Sequence, residues 1–209
     1  MLDKSVLTGK APLSHRKDDL YETPAVAVRA LMSVEKLPHH IWEPACGPGA
    51  IVGVLRAHGH TVWATDLVDY GCGNSEHGVD FLMERQSRID TEAIVTNPPF
   101  KLAREFAEHA LALCPRVIML LRLAFLEGKR RTAVLDGGQL ARVHVFKDRL
   151  PMMHRDGWEG PKLTASVVPF AWFVWDRSHR GPAILNRLSW RDAGAVGPRP
   201  AVPPGLSEN

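Results

Sequence analysis

Short β-branched runs alternate with amphipathic segments over the first 121 residues, and this alternation constrains the fold more than any other feature. The sequence predicts strands at four places: 40–43, 61–65, 93–96 and 117–121. It predicts helices between them and before them: 25–34, 49–58 and 101–113. Strands that alternate with helices are typical of a parallel sheet that is covered by helices on both faces. The sequence therefore predicts an α/β domain.

The last third of the chain has a different pattern. Residues 143–146 and 170–175 read as strands, and no convincing helix lies between them. Two strands connected in this way favour an antiparallel pair. We therefore predict a single Rossmann-like, doubly wound sheet, mostly parallel, with an antiparallel C-terminal edge pair. We place this domain at 20–192, between a flexible arm over 1–19 and a disordered, Pro/Gly-rich tail over 193–209.

Composition is that of a globular protein. Of the 209 residues, 45% are hydrophobic and 23% are charged. The first ten residues have no apolar signal segment, and the longest apolar run is interrupted by Arg122. Three cysteines are too few for a disulfide framework, so we expect a cytoplasmic protein without a membrane partner. Cys72 and His77 lack a second pair of ligands, and we predict no metal site.

Charge is distributed unevenly along the chain. Residues 1–100 contain 9 Lys and Arg against 13 Asp and Glu, whereas residues 101–191 contain 16 against 8. A basic surface attracts phosphates and releases their counterions on contact. Nucleic acid is therefore an expected partner, and a solvated basic surface is the alternative.

A glycine-containing turn joins the second predicted helix to the strand before it. The turn is EPACGPG, residues 43–49. Glycines there let the backbone approach a ligand closely, and a helix N-terminus offers unpaired N–H groups. Asp66 ends the next strand, 23 residues after Glu43, where a carboxylate commonly holds the hydroxyls of a ribose. The pattern predicts a nucleoside-containing cofactor, and an ordinary helix-capping turn is the alternative.

The details of this turn disfavour a dinucleotide. A dinucleotide site has a third glycine three residues after the second, but that position is Val52 and the next glycine is Gly53. Glu43 would also repel a pyrophosphate, since like charges repel. An acid at this place suits a cofactor that carries a positive charge.

The stretch IVTNPPF, residues 94–100, ends a predicted strand in an unusual way. The amino nitrogen of adenine is a poor nucleophile because its lone pair is delocalised into the ring. Two acceptors that hold its hydrogens would localise that pair. Asn97 offers a side-chain carbonyl, Pro98 offers a backbone carbonyl that Pro99 holds extended, and Phe100 offers a stacking face. Such a site works by positioning and electrostatics, and a simple Pro-Pro turn is the alternative.

Together these motifs resemble those of the class I S-adenosylmethionine-dependent methyltransferases, and residues 19–190 resemble the small phage-type DNA N6-adenine methyltransferases. The resemblance implies S-adenosyl-L-methionine as the cofactor and the N6 amino group of adenine in DNA as the methyl acceptor. RNA adenine N6, guanine N2 and protein glutamine are alternative acceptors. A non-catalytic cofactor-binding or nucleic-acid-binding module is a further alternative.

The resemblance also implies roles for individual residues. The catalytic residues would be Asn97, Pro98, Pro99 and Phe100. The cofactor-binding residues would be Tyr21, Thr23, Glu43, Ala45, Cys46, Gly47, Gly49, Asp66, Leu67, Asp80, Phe81 and Asn97. The basic residues expected to hold phosphates are Lys129, Arg130, Arg131, Arg155 and Lys162. A solvated charge is the alternative for each basic residue, packing for Cys46, and a loop acid for Asp80.

Overall fold

The computed structural model describes residues 20–88, 90–154 and 168–192. The strands in these ranges are β1 (Tyr21–Glu22), β2 (His40–Glu43), β3 (Thr61–Asp66), β4 (Glu76–His77), β5 (Ala93–Thr96), β6 (Arg116–Arg122), β7 (Leu140–Phe146), β8 (Met153–His154), β9 (Phe170–Asp176) and β10 (Ile184–Leu188). The helices are α1 (Ala25–Met32), α2 (Ala50–Ala57), α3 (Ala103–Leu113) and α4 (Thr132–Leu135). The predicted arm and tail lie outside the described residues, as do Arg155 and Lys162.

An eight-stranded sheet forms the centre of the protein. Its strand order is β10-β7-β9-β6-β5-β2-β3-β4. Every neighbouring pair is parallel except the two pairs that β9 makes with β6 and β7. The predicted doubly wound, mostly parallel sheet with a C-terminal antiparallel pair is therefore confirmed. A separate two-stranded antiparallel sheet joins β1 to β8.

The sheet extends one strand further than the sequence predicted. β10 pairs in parallel with β7 and forms the outer edge beyond the antiparallel pair. Its first four residues are exposed, and Ile184 and Leu185 are 53% and 62% exposed. A strand without a buried face lacks the alternation of apolar and polar residues by which strands are recognised. That is why this element was missed.

Helices cover both faces of the sheet. Ile118 and Leu120 of β6 pack with the buried residues of α1 and α2. Val117 and Met119, which alternate with them, pack with α3 and α4 on the other face. The central strands are thus buried on both sides, which explains their continuous apolar sequence. None of the helices in the described ranges is long and apolar enough to cross a membrane.

Two tryptophans of β9 fasten helices to opposite faces of the sheet. Trp172 and Trp175 are both 0% exposed. The Trp172 indole N–H donates to the carbonyl oxygen of Ala27 at 3.0 Å, and the Trp175 indole N–H donates to that of Val134 at 2.7 Å. Each ring therefore combines a large buried area with a satisfied polar group. Trp172 fixes α1, which directly follows residues of the site described below.

A buried ion cluster ties α1 to the amino ends of the strands. Glu35 follows α1 and is 5% exposed. Its carboxylate accepts a hydrogen bond from Arg116 at 2.7 Å and also binds Arg142, and His144 Nε2 lies 2.7 Å away. Burial alone would raise the pKa of Glu35, but the hydrogen bonds with His144 and Arg142 outweigh it and lower the pKa to about 2.

Glu35→Gln is expected to lower the free energy of unfolding by about 3 kcal/mol at pH 7, because two partly buried guanidinium groups lose their carboxylate. The folded-state pKa of Glu35 lies below its ordinary 4.5, so its stabilising effect is present above that pH. The effect is lost as pH falls through 4.5 toward 2. Denaturant unfolding between pH 2 and 7 would measure the difference from wild type, which should shrink with acid.

The matched control is Glu108→Gln, which removes a partly exposed carboxylate that pairs with Arg104 on the surface of α3. It should change stability little, because solvent screens such pairs. A loss of stability in Glu35→Gln that is the same at every pH would contradict the charged cluster.

Candidate active site

A cavity of about 440 Å³ lies where β2, β3 and β5 end. The order of strands reverses between β2 and β5, and such a switch point is where open α/β sheets bind ligands. The volume is within the range of small-molecule sites. The residues named from the sequence that line it are Tyr21, Thr23, Ala45, Cys46, Gly47, Asp66, Leu67, Asp80, Phe81, Asn97, Pro98 and Pro99. Glu43, Gly49 and Phe100 lie outside this lining.

The turn between β2 and α2 has backbone angles that require glycine. Gly47 has a φ of 51° and Gly49 a φ of 91°, both in the left-handed region. A Cβ atom on Gly49 would lie 2.8 Å from Cys72 Sγ, and one on Gly47 would lie 3.1 Å from Leu20 Cδ1. The turn is therefore packed tightly from outside, and its backbone can form one wall of the cavity.

Gly49→Ala is expected to lower the free energy of unfolding by about 1–3 kcal/mol, because the new Cβ atom is strained and meets Cys72. Gly53→Ala is the matched control, because Gly53 lies within α2 and a Cβ atom there meets nothing within 4 Å. Alanine at that helical position should raise stability by about 0.5–1 kcal/mol. Thermal and denaturant unfolding would measure both variants. Equal effects of the two substitutions would contradict the strained turn.

Asp66 holds this turn to the end of β3. Its carboxylate accepts from the backbone N–H of Gly47 at 2.8 Å and from that of Val68 at 3.0 Å. A carboxylate has about four acceptor positions, so Asp66 can hold the turn and also accept from a ligand in the cavity that it lines. Two sequence motifs, the glycine turn and the acid of the next strand, are thereby joined by one hydrogen bond.

Glu43 lies beneath the turn and is 0% exposed. Its Oε1 accepts from the Ala45 N–H at 3.3 Å, and the Thr96 hydroxyl also interacts with the carboxyl group. Burial raises the pKa of Glu43 well above its ordinary range, and the negative charge of Asp66 acts in the same direction. The carboxyl group supports the turn from behind and is held toward its protonated form. The residue expected to meet the cofactor thus lies outside the cavity lining.

Glu43→Gln is expected to stabilise the protein increasingly as pH rises above 4.5, the ordinary pKa of the group. The unfolded chain releases the Glu43 proton near that pH while the folded chain retains it, so wild type loses stability on raising the pH. The advantage of the variant should grow by up to about 1.4 kcal/mol per pH unit. Denaturant unfolding across pH would measure it, with the exposed Glu127→Gln as control. An advantage that does not vary with pH would contradict a raised pKa.

The amide of Asn97 is held in one orientation by the N-terminal segment. Its Nδ2 donates to the carbonyl oxygen of Tyr21 at 2.8 Å and to Thr23 Oγ1 at 3.0 Å. The reversed amide would set Oδ1 against the Tyr21 carbonyl, and two acceptors would then face each other. Asn97 Oδ1 is buried and has no partner among the described residues. Asn97, which lines the cavity, therefore contains a fixed and unused acceptor.

The segment that holds Asn97 is itself fixed on both sides. Tyr21 belongs to β1 and pairs in register with His154 of β8. Thr23 is 4% exposed, and Pro24 follows it at the start of α1. The resemblance placed Tyr21 and Thr23 near the cofactor, and both line the cavity. Their hydrogen bonds to Asn97 span more than 70 residues of sequence, so no local signal predicted them.

Asp80 and Phe81 form the side of the cavity that lies beyond β4. Asp80 is exposed and its carboxylate accepts from the Leu82 N–H at 3.0 Å, which caps a short 3-10 helix. Phe81 is 2% exposed and packs edge-on against Trp42. Cys46 is also buried, and burial raises the pKa of its thiol, which favours the packing role. Each of the three also lines the cavity.

Phe100 is packed among other side chains instead of lining the cavity. Its ring centre lies 4.8 Å from that of Tyr21 and 5.5 Å from that of Phe170. The guanidinium of Arg122 lies 4.4 Å from the same ring centre. The aromatic residues that line the cavity are instead Tyr21, Tyr70, Phe81 and Phe106.

Of the three basic residues at 129–131, one makes contacts within the protein and two are exposed. Arg131 donates hydrogen bonds to the carbonyl oxygens of Ala124 and Glu127, and its guanidinium lies 4.7 Å from the centre of the Phe125 ring. It therefore holds the segment that follows β6. Lys129 and Arg130 are exposed and remain available to a partner.

Several cavity residues were not named from the sequence. They are mainly apolar and lie outside the strands: Leu20, Val68, Tyr70, Val79, Leu82 and Leu102. Leu67 and Val68 are 60% and 38% exposed, which is unusual for large apolar side chains directly after a strand. Exposed apolar side chains of this kind can pack against the flat face of a ligand ring. The available signal was the apolar pair that follows Asp66, of which only Leu67 was named.

The fold matches known structures, whereas no family model and no curated protein matches the chain. The modification subunit of a candidate type I restriction enzyme from Vibrio vulnificus superposes with a TM-score of 0.57 and 13% identity over 80% of this chain, which spans 47% of that subunit. A candidate RNA methyltransferase from Pyrococcus horikoshii gives a TM-score of 0.56 and 13% identity over 80% of this chain and 90% of that one. A candidate class I S-adenosylmethionine-dependent methyltransferase from Listeria monocytogenes gives 0.54 and 13%, over 85% of this chain and 67% of that one.

These likenesses show the fold alone. The chain has the fold of the class I S-adenosylmethionine-dependent methyltransferases, as the motifs predicted.

Proposed function

We propose that this protein transfers a methyl group from S-adenosylmethionine to an exocyclic amino nitrogen, and that its preferred substrate is the N6 amino group of adenine in DNA. The observation that carries the proposal is the Asn97 amide. Asn97 lines the cavity, its Nδ2 donates to Tyr21 and Thr23, and its Oδ1 is buried without a partner among the described residues. A buried acceptor is costly unless a ligand supplies the donor.

The residues of the cavity fit a nucleoside with a positively charged end. The glycine turn forms a backbone wall that any Cβ atom would disturb. Asp66 would accept from ribose hydroxyls, and Leu67, Phe81 and Asp80 would enclose the base. When bound, S-adenosylmethionine supplies an activated methyl group on a positively charged sulfur.

The chain prepares the acceptor nitrogen by holding its two hydrogens. Asn97 Oδ1 would accept one, and the carbonyl oxygen of Pro98 would accept the other. Pro98 has no N–H to compete, and Pro99 restricts its backbone to an extended conformation. The nitrogen lone pair is then localised toward the cavity, so no general base has to act before the attack. The extra proton leaves the nitrogen for solvent after the new bond forms.

DNA is preferred because of charge and because of the family that the motifs resemble. Residues 101–191 carry twice as many basic as acidic side chains, and the structural neighbours include a restriction-modification subunit and a candidate RNA methyltransferase. An adenine within a duplex would have to leave the stack to reach Asn97. RNA bases and protein glutamine are the second candidates, since each presents a planar amino group to the same acceptors.

The test is transfer of labelled methyl from S-adenosylmethionine to unmethylated single-stranded DNA, double-stranded DNA, total RNA and glutamine-containing protein. Asn97→Ala should lower the rate by about 100-fold or more, because an interaction made with the reacting group is lost. Asn186→Ala is the matched control, since Asn186 lies on the exposed edge strand β10. It should leave the rate unchanged.

Each substrate gives a distinct answer. Label recovered as N6-methyladenine in DNA supports the proposal, and label only in RNA or protein assigns the acceptor to that class instead. A chain that binds S-adenosylmethionine and labels no substrate would contradict an enzymatic function and favour a binding module.

A further inference from the structure

We propose that Arg122 binds a phosphate group of the nucleic acid beside the target nucleotide. The inference deepens the proposed function and rests on it. It assigns a substrate contact to a side chain that no sequence motif singled out, on the strand next to the one that leads to Asn97.

Arg122 is the last residue of β6, at the same edge of the sheet as the cavity. Side chains alternate along the strand, so Arg122 points to the face that holds Ile118 and Leu120. Its cross-strand partner is Phe170, whose ring centre lies 5.5 Å from that of Phe100. The Arg122 guanidinium lies 4.4 Å from the centre of the Phe100 ring. The charge of Arg122 therefore lies against Phe100, which is three positions after Asn97 in the sequence.

Other arginines of this chain have polar partners that the Arg122 guanidinium lacks among the described residues. Arg116 and Arg142 bind the Glu35 carboxylate, and Arg131 binds backbone carbonyl groups. Arg122 has neither an ion pair nor a hydrogen bond with the residues that the structure describes, and its Nε is buried without a partner there. Its contact with the Phe100 ring is a cation–π interaction, which uses none of the N–H groups as hydrogen-bond donors to an acceptor atom.

A phosphate fits this arrangement better than other acceptors do. The guanidinium edge can donate two parallel hydrogen bonds to phosphate oxygens, and the ring behind it limits its orientation. A base held at Asn97 is attached to a sugar and two phosphates, so a phosphate must lie near the mouth of the site. A protein glutamine would bring no such group. The alternative is that Arg122 serves only to pack Phe100 against Tyr21 and Phe170.

The experiment measures the binding of a labelled single-stranded DNA of about 12 nucleotides containing one adenine, in the presence of S-adenosylhomocysteine, at several salt concentrations. Arg122→Met keeps an unbranched apolar stem on the Phe100 ring and removes the charge. It should weaken binding at low salt and reduce the magnitude of the slope of log affinity against log salt by about 0.7, which corresponds to one lost phosphate contact on single-stranded DNA.

Two further variants separate charge from packing. Arg122→Lys should keep the wild-type slope while losing part of the affinity, because lysine binds phosphate as a point charge. Arg180→Met removes one arginine from the exposed turn after β9, at the opposite edge of the sheet. It should leave the slope unchanged. Arg122→Gln gives the same loss of charge should the methionine variant unfold.

The outcomes distinguish this inference from the proposed function. A slope for Arg122→Met or Arg122→Gln equal to that of wild type overturns the phosphate contact, even if adenine is methylated. A wild-type protein that transfers no methyl group overturns the proposed function, whereas a smaller salt slope for Arg122→Met in the same protein still supports the Arg122 contact. The affinity of the folded variants for S-adenosylhomocysteine should match wild type, since Arg122 does not line the cavity.

Discussion

Two hydrogen bonds from the Asn97 amide, to the Tyr21 carbonyl and the Thr23 hydroxyl, join the parts of the site that are most distant in sequence. They orient the amide and leave its oxygen as an acceptor. They depend on the N-terminal segment being held in place, which the β1–β8 pairing and the contact of Trp172 with α1 accomplish. Asn97 is therefore positioned in two ways. The strand β5 leads to it, and the contacts of α1 and β1 hold the N-terminal segment to which its amide donates.

Two buried glutamates show how the same side chain is used in opposite ways. Glu35 lies near the amino ends of the strands among two arginines and a histidine, and its pKa is low. Glu43 lies at the carboxyl end of β2 without a cation, and its pKa is raised. The first is a satisfied structural cluster. The second lies behind the glycine turn, outside the cavity lining, where burial holds it toward its neutral form.

The sequence predicted what depends on local periodicity. The strands and helices that carry the glycine turn, Asp66 and Asn97 follow from apolar patterns, because each buries a definite face. β10 was missed because its first four side chains are exposed. β1 and β8 have only two residues each, which is too short for a pattern. Their existence depends on pairing across more than 130 residues, and pairing of that kind leaves no local signal.

Contacts between side chains were predicted less well than their positions. Asn97 was named as an acceptor, but the groups that orient it come from another element. Phe100 was expected to present a free face, whereas Tyr21, Phe170 and Arg122 surround it. Arg131 was grouped with exposed cations, although its guanidinium binds the backbone of its own loop. In each case the contacts that determine the role of the side chain come from a segment distant in sequence or from the conformation of a turn.

The most direct measurement is a crystal structure with a bisubstrate analogue in which adenosine is joined through N6 to the methyl-donor end of the cofactor. The account predicts that N6 lies within about 3.2 Å of Asn97 Oδ1, while Nδ2 keeps its hydrogen bonds to Tyr21 and Thr23. An analogue bound with N6 away from Asn97, or an amide turned so that Nδ2 faces N6, would contradict the central claim.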